Sequence, residues 1–180
     1  MRFSRRGGAV VARVEPAEAA LLTVLATDLL ELLGPAEPVK SDPLAVMVGI
    51  ADRPLDLPDD PALARLLPDA YSEDDEASAD FRRYTEGDLR AGKRARASAV
   101  LAGLAQHPEG GRVRLDPSET DAWLGLLNDL RLVLGIRLEV TEETELDPDP
   151  DADDAEAQAL YVYGWLGAVQ EGLLACLLRR

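Results

Sequence analysis

Apolar residues recur at helical spacing through most of the chain. Leu25, Leu29 and Leu33 stand four apart, as do Leu126, Leu130 and Leu134, so each set predicts an apolar stripe along a helix. Just upstream, Ala9 to Val14 and Arg112 to Leu115 alternate in the manner of half-buried strands. The two segments are related. RVEPAEAALLTVLATDLLELLG (residues 13–34) and RLDPSETDAWLGLLNDLRLVLG (residues 114–135) share eight of 22 positions at a constant offset of 101, among them Asp28/Asp129. In both, an acid followed by proline (Glu15-Pro16, Asp116-Pro117) predicts an N-cap with Pro in the first turn, where its missing N–H costs nothing. Glu18 and Glu119 add negative charge at the positive helix end, and Gly34 and Gly135 are placed for left-handed C-caps. A Gly-Gly pair precedes each copy. Caps and stripes are generic to strand–turn–helix units, but Asp28/Asp129 lies within the stripe register and is no cap, which favours a true repeat. Two units, about 7–34 and 110–135, are therefore expected to pack about a pseudo-twofold with their strands in one sheet. Asp28 and Asp129 would then lie near each other or on matching partner surfaces.

Between the copies, Asp42-Pro43 opens a short apolar segment, and Asp60-Pro61 opens another, ALARLL, which stops before Pro68. Residues 72–105 read as a long helix with acids first and bases later, an order that complements the helix dipole. Gly87 and Gly92 each weaken its middle by about 1 kcal/mol relative to Ala, which leaves room for a break there. Residues 139–156 carry ten acids with Pro148 and Pro150 and read as an exposed, flexible acidic loop. The last segment, residues 155–178, predicts an amphipathic helix with Leu160, Trp165, Leu166, Val169, Leu173 and Leu177 inward. The resulting fold class is mainly α with a small antiparallel β-sheet (α+β). It forms one domain over residues 1–180, with strands near 2–6, 9–15 and 112–115.

Composition narrows the setting. With 180 residues, 47% of them apolar, the chain can bury a sizeable core. No uninterrupted apolar run approaches the roughly 18 residues of a membrane span, and MRFSRRGG precedes no long apolar segment of a secretory signal. A soluble cytoplasmic protein without a membrane partner is expected. Nineteen Lys and Arg against 34 Asp and Glu leave a net charge of −15, which disfavours nucleic acid unless a basic patch is segregated. Arg outnumbers Lys 17 to 2, as GC-rich codons would favour.

Candidate chemistry is sparse. The run DPDPDADD (residues 147–154) suggests calcium, but an EF-hand needs Gly at place six and Glu at place twelve. Counted from Asp147 those places hold Ala152 and Gln158, and counted from Asp149 they hold Asp154 and Leu160. Arg82, Arg83, Arg90, Lys93, Arg94 and Arg96 form the main basic cluster and are the candidate contacts for a protein partner or nucleic acid. Arg83, Arg90 and Arg94 share one helical face. A helix end paired with its own acids fits a net −15 chain better. His107, the single His, precedes Pro108 in a turn and has no His or Cys near it in sequence. Cys176, the single Cys, excludes an intrachain disulfide and stands as a candidate redox residue. No phosphate loop, nucleophile elbow, zinc spacing or dinucleotide fingerprint is present, so no catalytic, cofactor-binding or metal-binding residue is assigned.

The phrases DDPALARLLPDAY (59–71), DFRRYTEGDLRAGKRARASAVLAGL (80–104), VRLDPSETDAWLGLLNDLRLVLGIRL (113–138) and YVYGWLGAVQEGLL (161–174) resemble a family of small actinobacterial proteins. This is the AosR-like family, formerly a domain of unknown function and later named for oxidative-stress transcriptional regulation. The resemblance implies a non-enzymatic, cytoplasmic regulator that contacts the transcription machinery, such as a sigma factor or RNA polymerase, with a homodimer as a further option. It also brings a gene-order association with a protease adaptor of the N-end-rule type. Two alternatives stay open: direct DNA binding through the basic helix 82–96, and an accessory role in regulated proteolysis. With one cysteine, thiol sensing would require a disulfide between chains or another oxidised state of Cys176.

Overall fold

A computed structural model describes residues 1–35, 56–71, 73–144 and 154–178. Three antiparallel strands come first in the architecture: β1 (Arg2–Arg6), β2 (Ala9–Val14) and β3 (Gly111–Leu115), in the order β1-β2-β3. Gly7 and Gly8, both at positive φ, make the tight turn between β1 and β2. Five helices follow the strands or separate them: α1 (Pro16–Leu33), α2 (Pro61–Leu66), α3 (Asp75–Ala105), α4 (Pro117–Arg137) and α5 (Ala155–Leu178). The expected mainly α fold with a small antiparallel sheet is what forms.

Strands β2 and β3 pair antiparallel in one register. Ala12 pairs with Val113, Val10 with Leu115 and Val14 with Gly111. Ala12 and Val113 are 101 residues apart, the offset of the two copies, so a local two-fold passes through that pair. Each strand leads into its helix through the same start. The Glu15 N–H donates to Glu18 Oε2 at 2.9 Å, and the Asp116 N–H donates to Glu119 Oε2 at 2.8 Å. The Glu119 N–H returns to Asp116 Oδ1 at 2.8 Å, which completes a reciprocal cap.

The inner face of the sheet carries Val10, Ala12, Val14, Val113 and Leu115, all buried. Equivalent positions of the two repeat helices join them in the core: Leu22 and Trp123, Ala26 and Leu127, Leu29 and Leu130. Phe3 meets Trp123 edge-on with ring centroids 6.5 Å apart. Helix α3 packs against both α1 and α4, α2 packs on α4, and α5 packs on α4 and β1.

Several expectations change. Gly34 does end α1, at φ 63°, but Gly135 lies inside α4, which runs on to Arg137. Gly135 lies beside the Tyr163 ring of α5, where an added Cβ would make ordinary van der Waals contact, and it caps nothing. Helix α3 continues unbroken past Gly87 and Gly92, because tertiary anchors around both glycines, described below, outweigh their helix penalty. The repeated aspartates separate in role: Asp28 is exposed and Asp129 is buried. In α5, Leu166, Val169 and Leu173 are buried as expected and Cys176 joins them, while Leu160, Trp165 and Leu177 are half-buried. By length and composition α5 is apolar enough to cross a bilayer, yet its buried stripe faces α4 and β1 as a core helix would. The segment opened by Asp42-Pro43 and all of the run 147–154 except Asp154 lie outside the described residues.

Candidate functional site

Helix α3 carries all six candidate cations, and the fold turns most of them inward. Lys93 is buried and its Nζ donates to Asp129 Oδ1 of α4 at 2.6 Å. Arg96, half-exposed, reaches the other carboxylate oxygen at 3.9 Å. Its side chain lies over Gly125, where any Cβ would collide with it. Arg94 Nη1 donates to the Leu30 carbonyl at 2.8 Å and also to the Gly34 carbonyl. Arg90 donates to the Leu33 carbonyl and to Glu86 Oε1, the latter at 2.5 Å. Both guanidiniums therefore satisfy the last carbonyls of α1, which carry the negative end of its dipole.

Arg82 is buried one turn before Glu86. It donates to the Leu67 carbonyl at 2.7 Å and pairs with Asp69, fixing the segment after α2. Arg83 remains near the surface, 3.7 Å from Asp80 and stacked over the Tyr84 ring at 4.8 Å. The shared face of Arg83, Arg90 and Arg94 thus divides. Two of the three bind the end of α1, and one stays outward with local partners.

Besides exposed acids such as Asp80 and Asp88, α3 presents large apolar side chains to solvent. Phe81, Tyr84 and Leu89 are each 45–47% exposed, and Tyr71 is half-exposed beside them. Tyr71 and Phe81 meet edge-on with centroids 6.0 Å apart. Ser78 pins this corner, accepting from the Tyr71 N–H at 3.1 Å and donating to the Tyr71 carbonyl at 2.7 Å. The signal lay in the sequence as Phe81, Tyr84 and Leu89 within an otherwise charged helix, but only burial distinguishes such a stripe from a core face.

Cys176 is buried on α5, at the floor of an open groove of about 830 Å³ between α5 and β1 that Phe3, Arg5, Gly172 and Ala175 also line. It is brought together with none of the α3 cations. His107 sits half-buried in the turn after α3, its N–H donating to the Leu104 carbonyl at 2.8 Å. Among the described residues no group of three His, Cys, Asp or Glu could hold a metal ion.

The comparisons with known proteins agree with one another. A family described as a domain of unknown function (DUF2017) matches residues 1–177. The chain is 34% identical over 179 residues to the putative oxidative stress regulator AosR of Mycobacterium leprae (strain TN), which covers 92% of this chain and 81% of that protein. It is 33% identical over 189 residues to the oxidative stress regulator AosR of Mycobacterium tuberculosis (strain ATCC 25618 / H37Rv), covering 97% and 85%. The chain belongs to the AosR family. The AosR relatives carry the name of oxidative stress regulators, and a regulatory role follows for the family to which this chain belongs. No solved structure matches the chain.

Proposed function

We propose that this chain is a non-enzymatic regulator of the oxidative-stress response that acts by binding a protein of the transcription machinery, a sigma factor or RNA polymerase itself. The aromatic face of α3 is its docking surface. The observation that carries this reading is the exposure of Phe81, Tyr84 and Leu89 on one helix, with Tyr71 packed edge-on against Phe81. Adjacent exposed aromatics with a stacked arginine have the composition of an interface centre. The names of the AosR relatives support the stress setting. Direct DNA contact through helix 82–96 has weaker support, because Arg82, Arg90, Lys93 and Arg94 already serve the fold. Cys176 is the chain's single thiol, so a thiol signal would pass through it.

The experiment is a tagged pull-down from a nuclease-treated lysate of the native host, with and without peroxide, comparing the wild type with F81A/Y84A and with Cys176→Ser. Recovery of RNA polymerase or a sigma factor by the wild type, and its loss in F81A/Y84A, is the expected result. A peroxide response that disappears in Cys176→Ser would tie the signal to that thiol. Recovery of protease components by wild type and F81A/Y84A alike would contradict the reading and favour the accessory role in proteolysis.

A further inference from the structure

The strands of this acidic protein hold no acid at all. Their sequences are RFSRR, AVVARV and GRVRL, with six arginines among them. Side chains alternate between the faces of a sheet, and residues paired across strands share a face. The register places Arg2 beside Arg13 and Arg13 beside Arg112, one unbroken row across all three strands. The same face carries Arg6 at the far end of β1 and Arg114 on β3, whereas Arg5 falls on the opposite face.

All five outward arginines are exposed. Arg13 lies 3.6 Å from Glu15, an exposed pair. Among the described residues, Arg2, Arg6, Arg112 and Arg114 have no carboxylate within ion-pair distance. A hollow of about 340 Å³ beside the row is lined by Met1, Arg2, Arg13 and Glu15. Like charges placed directly across strands weaken a sheet, and the only carboxylate paired with the row among the described residues is Glu15 on Arg13.

We propose that the outer face of the sheet is a binding surface for the phosphate backbone of double-stranded nucleic acid. Two features favour a duplex backbone over an acidic protein. The apolar side chains on the face are Ala9 and Val11, both small and at least half-buried, so the face lacks the aromatic or aliphatic anchors on which protein interfaces depend. Nucleic-acid interfaces are instead polar and strongly positive. The face also carries no aromatic residue, which excludes a platform for stacking single-stranded bases. Adjacent strands place the arginine row at steps of about 4.8 Å, and Arg112 and Arg114 stand about 6.7 Å apart along β3. A three-stranded face of that breadth is too wide for the major groove, about 12 Å across, once its side chains are counted, so it lies against phosphates and reads no sequence. The remaining surface, strongly negative, orients the protein so that only this face approaches DNA. This surface is separate from the aromatic face of α3, and neither depends on the other.

The test uses the full chain with two fluorescently labelled 20-base-pair DNA duplexes of unrelated sequence, titrated from 50 to 200 mM salt. The expected result is equal binding to both duplexes. With five phosphate contacts the slope of log affinity on log salt is about −4.5, a loss of about 500-fold across that range. R112S/R114S lowers the slope to about −2.7, and R2S/R6S on the neighbouring strand does the same, while both variants keep the wild-type circular dichroism. Arg83→Ala on α3 leaves binding unchanged. No binding at 50 mM salt would overturn the proposal, as would a slope that neither double variant alters. Displacement of the duplex by polyglutamate at equal charge concentration would also overturn it and assign the face to an acidic protein.

Discussion

Two arginine-rich regions of this molecule have opposite fates. On α3, Arg82, Arg90 and Arg94 reach carbonyls and carboxylates of α1 and of the segment after α2, and Lys93 is closed over by Asp129. On the sheet, Arg2, Arg6, Arg112 and Arg114 lie exposed on one face, where Arg2 and Arg112 flank Arg13 across the strands and Arg6 and Arg114 face Ala9 and Val11. The difference comes from the period of the backbone. A helix in the middle of a bundle turns each successive guanidinium toward a different neighbour, and long side chains find helix ends to bind. A sheet covered on one side sends every second residue outward, away from the rest of the core. Arg82, Arg90, Lys93 and Arg94 of α3 are structural, and Arg2, Arg6, Arg112 and Arg114 of the outer sheet face have no ion-pair partner among the described residues.

The contrast breaks most visibly at the buried pair. Asp129→Ala leaves Lys93 charged and buried without its partner, and a loss of about 3–5 kcal/mol is expected by urea denaturation. An unchanged midpoint would mean that Lys93 reaches water. Next comes Arg94→Ala, which strips the final carbonyls of α1 of a cation and is expected to cost about 1–2 kcal/mol. Hydrogen exchange should localise the effect to the last turn of α1, and uniform loosening would argue against the assigned role.

Asp60 allows a pH test. Its side chain caps α2 through the Ala62 and Leu63 N–H groups, at 2.8 and 3.0 Å, and pairs with Arg137 at 2.5 Å. The Arg137 guanidinium first, and the Leu63 N–H next, hold its carboxyl below the usual carboxylate range. A lowered folded value means the stabilisation is complete above the ordinary carboxylate pKa of about 4 and fades as pH falls through the depressed one. Asp60→Ala should therefore cost about 1 kcal/mol at neutral pH. That difference from wild type should shrink in acid, and a constant difference down to pH 2 would contradict the assignment. The smallest effect has the opposite sign. Arg13→Thr removes the middle of the arginine row and is expected to raise stability by about 0.2–1 kcal/mol, read as a higher melting temperature. A loss of stability would show that the row is structurally supported.

How much of this was legible depended on distance along the chain. Acid-proline starts, leucine spacing and the alternation in β2 and β3 are local signals, and they located the strands and four of the helix starts. Pairing Ala12 with Val113 is the register that a two-fold between copies 101 apart would require. The fate of the α3 cations was not legible, because Arg90 and Arg94 bind carbonyls about 60 residues earlier in the chain. Gly135 matches Gly34 in sequence position, but its helix runs on to Arg137, so a glycine in that place does not by itself mark a helix end. The sheet arginines escaped notice for the same reason. Arg13 and Arg112 become neighbours only when two strands nearly one hundred residues apart pair.

The most direct measurement of this division is limited modification of the native protein with an arginine-selective dicarbonyl, followed by peptide mass spectrometry. Arg112 and Arg114 should react at the rate of free arginine, while Arg82 and Arg94 stay protected until denaturant is added. Equal reactivity of Arg82 and Arg94 with the strand arginines would contradict the account.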